Sequence, residues 1–269
     1  MLIIGQVSGK EAFEQKFEIS FSGNQLFRTK YLLDQGEKAW IISCQDKYTF
    51  SQFHYGMVPF WSKRPVYHYE SPVEGSINPG AEKVRKRIIV HPSFRRPIRE
   101  NRCLVPVDYY ITLSESDEAY LVYSSVARTF ALAGIYDNWK EDYYQKDFYQ
   151  GFSLLTLSAP EDFRHVGIQR LPLVLSERSY KRWLNPDMAL AEITALMENT
   201  LEHELNAYPI NRKHLTEKLN SKELCRPTGK LIRQIPQDPG KMAAFLRSFR
   251  FMRGATHQQN KQEERIWRE

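Results

Sequence analysis

The apolar positions of this chain fall mostly in short runs, which predicts many strands and gathers the longer helices late. Near the start, Phe13 and Phe17 stand four apart in the charged stretch 10–18, the spacing of a short amphipathic helix. Residues 39–43 form an apolar run of strand length, and 48–57 alternate roughly, predicting another strand. Residues 63–80 are rich in Pro, Gly, Tyr and Ser and read as a long loop, of a length that is more often functional or mobile than idle. The basic stretch 81–88 reads as helical, closed by His91 and Pro92. At the centre of the pattern lie four arginines, Arg95, Arg96, Arg99 and Arg102, followed by the apolar run 103–107. That run is too short for a helix and predicts a buried strand, in which Pro106 suits an edge or a bulge.

Further strands are predicted over 119–123, 130–136, 152–157 and 171–175, separated by polar, turn-rich stretches. Ser176 is placed to cap a helix reaching Leu184. Asn185 and Pro186 open a second helix, on which Leu190, Ile193, Met197, Leu201 and Leu205 line one face, the stripe of a core-facing helix. The fold class this predicts is α+β with a strand-rich core. Pro227, Pro236, Pro239 and Gly240 then mark a linker. Beyond it, 241–253 predict a basic amphipathic helix carrying Met242, Phe245, Leu246, Phe249 and Met252. Such a helix either docks on its own domain or touches nucleic acid or a membrane surface. The division expected is one domain over 1–232 and a basic extension over 233–269.

Composition narrows the class. With 269 residues, 42% of them hydrophobic, the chain can bury a sizeable core, which excludes a mostly disordered protein. Lys and Arg outnumber Asp and Glu by 38 to 32, a net charge of +6. That excess favours an anionic partner such as nucleic acid, and it also suits a merely basic soluble protein. Cys44, Cys103 and Cys225 are widely spaced, and the seven histidines show no ligand spacing. The expectation is reduced thiols in a cytoplasmic protein, with no disulfide, no metal and no cofactor. No signal-peptide pattern and no membrane-length apolar run are read in the sequence.

Candidate chemistry is confined to short blocks. They are Gly56-Met57-Val58-Pro59-Phe60-Trp61, Asn78-Pro79-Gly80-Ala81-Glu82, Phe94, Arg102 through Asp108, Ala133-Gly134-Ile135, Phe152 through Thr156, and Arg170 through Leu175. Trp61 is either a stacking platform for an unpaired base or a core aromatic. Asn78 either orients a sugar or phosphate or starts a Pro-Gly turn. Arg170 either holds a phosphate or pairs with a carboxylate such as Asp108. Arg95, Arg96, Arg99 and the run holding Arg85 either track a nucleic-acid backbone or are solvated. Cys103, inside its apolar strand, reads as an inert core thiol.

In order and spacing these blocks resemble the SRAP family (SOS response-associated peptidase), the abasic-site DNA–protein crosslinking proteins, from the first helix to about Ile232. The resemblance implies a single α+β domain with a barrel-like mixed sheet, peripheral helices and a basic groove for single-stranded DNA. It also implies a cysteine at position two, exposed by loss of the initiator Met, whose amine attacks the aldehyde of an abasic site and whose thiol closes a thiazolidine. An Asn, a Glu and a His assist with proton transfer. This sequence departs from that pattern at the chemistry. Position two is Leu2, which should also protect Met1 from removal. The Glu position is Thr112 and the His position is Ile168, while the Arg that usually follows the Asn by two is Gly80. Asn78, Glu82 and Arg170 remain. The expectation is a DNA-damage protein that binds single-stranded or abasic DNA through Trp61, Asn78, Arg85, Arg95, Arg96 and Arg170 and has lost the crosslinking reaction. The N-terminal amine could form at most a reversible imine. The alternative is a protein-interaction module that uses the old groove, with Tyr67, Tyr69, Tyr109, Tyr110, Tyr143 and Tyr144 as its aromatic surface.

Overall fold

A computed structural model describes residues 1–21, 26–74, 88–141, 148–198 and 205–233, all within the unit Met1–Arg233. In chain order the elements begin β1 (Leu2–Gln6), α1 (Lys10–Phe17), β2 (Ser20–Phe21), β3 (Lys30–Leu33), β4 (Lys38–Ser43), β5 (Thr49–Tyr55) and β6 (Glu70–Pro72). The middle of the chain gives α2 (Pro97–Glu100), β7 (Arg102–Val107), β8 (Tyr109–Leu113), β9 (Ala119–Ser124), β10 (Phe130–Trp139) and β11 (Tyr149–Ser158). The last third supplies α3 (Glu161–Arg164), β12 (Arg170–Pro172), β13 (Val174–Leu175), α4 (Glu177–Trp183) and α5 (Leu190–Glu198). It ends with β14 (Leu205–Ile210), α6 (Arg212–Thr216) and β15 (Ile232–Arg233). The class is α+β and strand-rich, as the apolar pattern predicts.

Five strands close on themselves. β5, β4, β7, β10 and β11 pair in that order, and β11 returns to β5 to complete a barrel. Every pair in the ring is antiparallel except this seam, where Gly151 lies beside His54 and Phe152 beside Tyr55 in parallel register. Two glycines let the seam close. A Cβ on Gly151 would stand 2.2 Å from the carbonyl oxygen of Gly56. Gly56 itself has φ +140, a conformation L side chains rarely adopt, and a Cβ there would meet the Tyr69 ring at 2.8 Å. A second sheet, in the order β15-β14-β9-β8-β1-β3, lies beside the barrel. Leu2, Ile4, Tyr110, Val122 and Ala207 of this sheet belong to the same apolar core as Leu104, Leu132 and Leu154 of the barrel.

β7 is buried along its whole length, which explains its unbroken apolar run. It is not an edge strand, since β4 and β10 flank it, yet its pairing with β4 covers only Cys103 and Leu104. Proline cannot donate to a ladder. At Pro106 the side chain of Gln6 takes over: its Nε2 donates to the carbonyls of Trp40 and Pro106, both at 2.8 Å, and its Oε1 accepts from Trp40 N–H at 3.0 Å. Arg102, at the head of β7, is fully buried without a carboxylate partner among the described residues. Its guanidinium donates to the carbonyls of Trp183 (2.9 Å), Ile98 (3.0 Å), Arg99 and Asn185. Those oxygens sit where α2 and α4 end, so one cation satisfies acceptors that helix geometry leaves open.

Several expectations need correction. The loop 63–80 contains β6, a three-residue strand added in parallel to β11. β1, β8 and β14 lie where no strand is read from the pattern. The stripe assigned to one helix ends inside β14, since Leu205 begins that strand. The Ser176 hydroxyl contacts Ser179 Oγ at 2.8 Å instead of capping a backbone N–H. The helices expected over 81–88 and 241–253 fall wholly or almost wholly outside the described residues. Among the described residues, no helix is long and apolar enough to cross a membrane, and no cluster of three or more His, Cys, Asp or Glu could hold a metal.

Candidate nucleic-acid interface

β1 runs between β3 and β8, and its register brings two of the sequence-marked positions together: Leu2 lies directly opposite Thr112. Both are buried, Leu2 within the shared core. Ile168 is also fully buried. Its loop is tied to the end of β8 by a 2.9 Å hydrogen bond from Glu115 N–H to the Gly167 carbonyl. The position that carries the thiol in the resemblance is therefore a hydrocarbon side chain packed in a sheet, with a hydroxyl across from it. Just outside, the Met1 amine is 3.8 Å from Glu70 Oε1. Near Glu70, the Tyr55 phenol is buried and has no hydrogen-bond partner among the described residues. Burial holds its pKa well above the ordinary value, and the negative charge of Glu70 adds to this.

Trp61 rides on a closed loop. Met57 and His68 exchange backbone hydrogen bonds at 2.9 and 2.8 Å, pinning its two ends. Within it Ser62 N–H bonds back to the Pro59 carbonyl, the Phe60 N–H donates to Asp137 Oδ2 at 2.9 Å, and Trp139 Nε1 donates to the Ser62 carbonyl at 2.7 Å. The backbone on both sides of Trp61 is thus fixed to β10 while the indole is 53% exposed. The core reading of Trp61 fails, because a side chain that large would be buried if packing were its role. Burial raises the pKa of the Asp137 carboxyl, and the two backbone N–H groups and Arg96 only partly offset this.

The arginines divide. Arg95 is exposed, and its carbonyl accepts from Arg99 Nη1. Arg96 lies over the exposed Phe60 ring at 4.3 Å, with its Nε donating to Glu100 at 2.9 Å and its Nη1 4.0 Å from Asp137. Arg170 does not pair with Asp108. Its Nη2 donates to Glu74 at 2.7 Å and to the Thr156 carbonyl at 2.6 Å, and its Nε donates to Thr156 Oγ1 at 3.1 Å. Nη1 is buried without a partner among the described residues. Partial burial works to raise the Glu74 pKa, but hydrogen bonds from Arg170 and the Ser158 N–H outweigh it and hold it below the ordinary value. Asp108 instead fixes the chain after β1, accepting from the N–H groups of Val7 and Ser8 and from the Ser8 and Thr129 hydroxyls. Asn78, Glu82 and Arg85 lie outside the described residues.

The aromatic surface named in the sequence is only partly a surface. Tyr109 and Tyr110 are fully buried in β8, and Tyr143 and Tyr144 lie outside the described residues. Tyr67 is exposed and Tyr69 half-buried. Sequence reading missed His54 and Tyr149, whose rings stack at 4.7 Å across the barrel seam. Nothing local in sequence joins residues so far apart. Cys103 is fully buried, and burial pushes its thiol pKa well up, consistent with an inert core thiol.

Comparison with known proteins adds three findings. Residues 5–214 match the family described as SOS response associated peptidase (SRAP). Two Bacillus subtilis proteins, abasic site processing proteins YoaM and YoqW, are 25% and 24% identical to the chain over 193 residues. Each alignment spans 68% of this chain, and 78% and 79% of the respective relative. Among solved structures, a Bacteroides thetaiotaomicron protein superimposes with a TM-score of 0.69 at 20% identity, covering 84% of this chain and 99% of its own.

Proposed function

The chain belongs to the SOS response associated peptidase family, and on that premise we propose that it binds single-stranded DNA at abasic lesions without forming a covalent adduct. The names of its Bacillus relatives, abasic site processing proteins, point to that lesion. Loss of the adduct rests on one observation: Leu2 lies opposite Thr112 in a buried register, with Ile168 buried in the neighbouring loop. A thiazolidine needs a thiol, and imine formation needs groups that give and take protons near the aldehyde. Hydrocarbon at two of these positions and a hydroxyl at the third supply neither the thiol nor an ionisable acid–base pair. The Met1 amine, 3.8 Å from Glu70, has no thiol on Leu2 to trap an imine, so any imine would be reversible.

Binding rests on what stays exposed: Trp61 on its pinned loop, and Arg95 and Arg96 in the segment that packs on Phe60, with the half-buried Arg170 held by Glu74. From the sequence, Asn78 and Arg85 are also proposed to contribute to DNA binding, with residues 1–232 as the binding domain and 233–269 as a basic extension, in the cytoplasm.

The test uses a single-stranded oligonucleotide with one central abasic site beside an intact control, incubated with protein, split with and without borohydride, and run on a denaturing gel. Binding is titrated at two salt concentrations. The expected result is no shifted band without borohydride, with binding that weakens steeply as salt rises, as phosphate contacts require. A stable band without borohydride overturns the loss of chemistry. Absence of binding at low salt overturns the DNA reading in favour of a protein partner.

A further inference from the structure

Beyond Trp61 the same face carries a second aromatic surface. Tyr149 extends from the first residue of β11, donates its hydroxyl to the Gly56 carbonyl at 2.9 Å, and stacks on His54 with rings 21° from parallel. Tyr67, 45% exposed, meets Tyr149 edge-on at 5.8 Å and lies nearly parallel to Tyr69 at 6.3 Å. The surface joins the Trp61 loop through Trp139, whose ring meets Tyr149 at 6.5 Å and whose N–H holds the Ser62 carbonyl. Cations lie along it, with Lys63 and Arg64 exposed between Trp61 and Tyr67 and exposed Lys38 opposite His54 in β4, while Asp34 and Glu37 flank the turn that His54 contacts through the Gly36 carbonyl.

Core packing does not account for this group. Tyr67 is exposed, and Tyr149 and His54 are only half-buried. Rings fixed by their neighbours, one exposed and two half-buried, with Lys and Arg beside them, match the needs of unpaired nucleotides: π-faces for bases and cations for the backbone. An acidic or purely apolar peptide would use either the cations or the rings, whereas a single strand uses both.

We propose that Tyr67, Tyr149 and His54 form a base-stacking ledge that holds nucleotides flanking the one at Trp61, so that the protein grips several nucleotides of single-stranded DNA with little regard to sequence. This rests on the DNA reading above and adds to it where the strand runs and what holds it.

The experiment is fluorescence anisotropy with the full chain, using a long oligothymidine, a short one, and an oligomer of the same length as the long one made only of abasic tetrahydrofuran residues. Tyr67→Ala is the main variant, because its side chain is exposed and its loss should leave the fold intact; thermal unfolding checks this. Tyr67→Ala should weaken binding of the long oligothymidine about fivefold to a hundredfold, the range for one lost stacked base. It should leave the salt slope and the affinity for the abasic oligomer unchanged. Tyr67→Trp should restore affinity, and its fluorescence should be quenched on binding. The ledge is overturned if Tyr67→Ala binds the long oligothymidine as the wild type does, or if the wild type holds the abasic oligomer equally well. The first result leaves the DNA reading standing. If the wild type binds none of the three, both readings fall.

Discussion

At the scale of single residues, burial separates packing positions from those that can meet a ligand. A nucleophile must reach solvent, whereas Leu2 is 2% exposed and acts as core. Leu2→Ala should therefore cost about 2–5 kcal/mol of stability in urea unfolding, the range for large-to-small core changes. Arg102 should be costlier to replace than its lack of a carboxylate suggests. Arg102→Met should destabilise by about 3 kcal/mol or more, because several buried carbonyls lose their donor together, and Arg102→Lys should not rescue a planar fork. His68 gives a pH signature. Burial first, and the like charge of His91 second, lower its pKa in the fold. The unfolded chain then binds more protons as pH falls below the ordinary histidine value, so stability should drop from pH 7.5 to 5.5. His68→Gln should shrink that drop, measured by denaturant unfolding at both pH values.

Among the elements, β7 shows how a sequence can place a strand correctly and still hide its context. Its apolar run announces burial, and Pro106 announces a broken ladder. What repairs the break is Gln6, from a strand about a hundred residues earlier in the chain. Gln6→Ala should cost about 2–3 kcal/mol, because the N–H of Trp40 and two carbonyls lose their partner in a dry interior. The same limit explains what the sequence concealed elsewhere. α1 was legible because Phe13 and Phe17 share a helical face, and β4, β10 and β11 because each carries a dense apolar run. β8 was not, because both its faces are buried and it continues from β7 across Asp108, so no alternation marks it. β6 was hidden because a three-residue strand has no period. Trp61 stands out within its block, and its exposure removes the core reading while the stacking role is a proposal. The stack of His54 on Tyr149 depends on barrel closure and could not be seen before the barrel was.

For the whole molecule, the seam between β5 and β11 bears on both stability and the proposed interface. Gly151→Ala should be strongly destabilising, because its new methyl would collide with the rigid backbone of Gly56. Thermal unfolding would show this, and loss of the His54–Tyr149 stack would follow. The seam also has a consequence in time. His54 and Gly151 meet only after about a hundred residues of intervening chain have been brought home, and that closure is paid in entropy before any contact rewards it. The antiparallel neighbours β4–β5 and β10–β11 can zip locally, but the ring must wait for its two ends. During refolding from urea, Tyr149 and its neighbour Trp139 should therefore reach their native environment after most backbone structure has formed. On a nascent chain, the rings proposed to meet DNA would be among the last to assemble, so competence to bind would itself report that folding is complete.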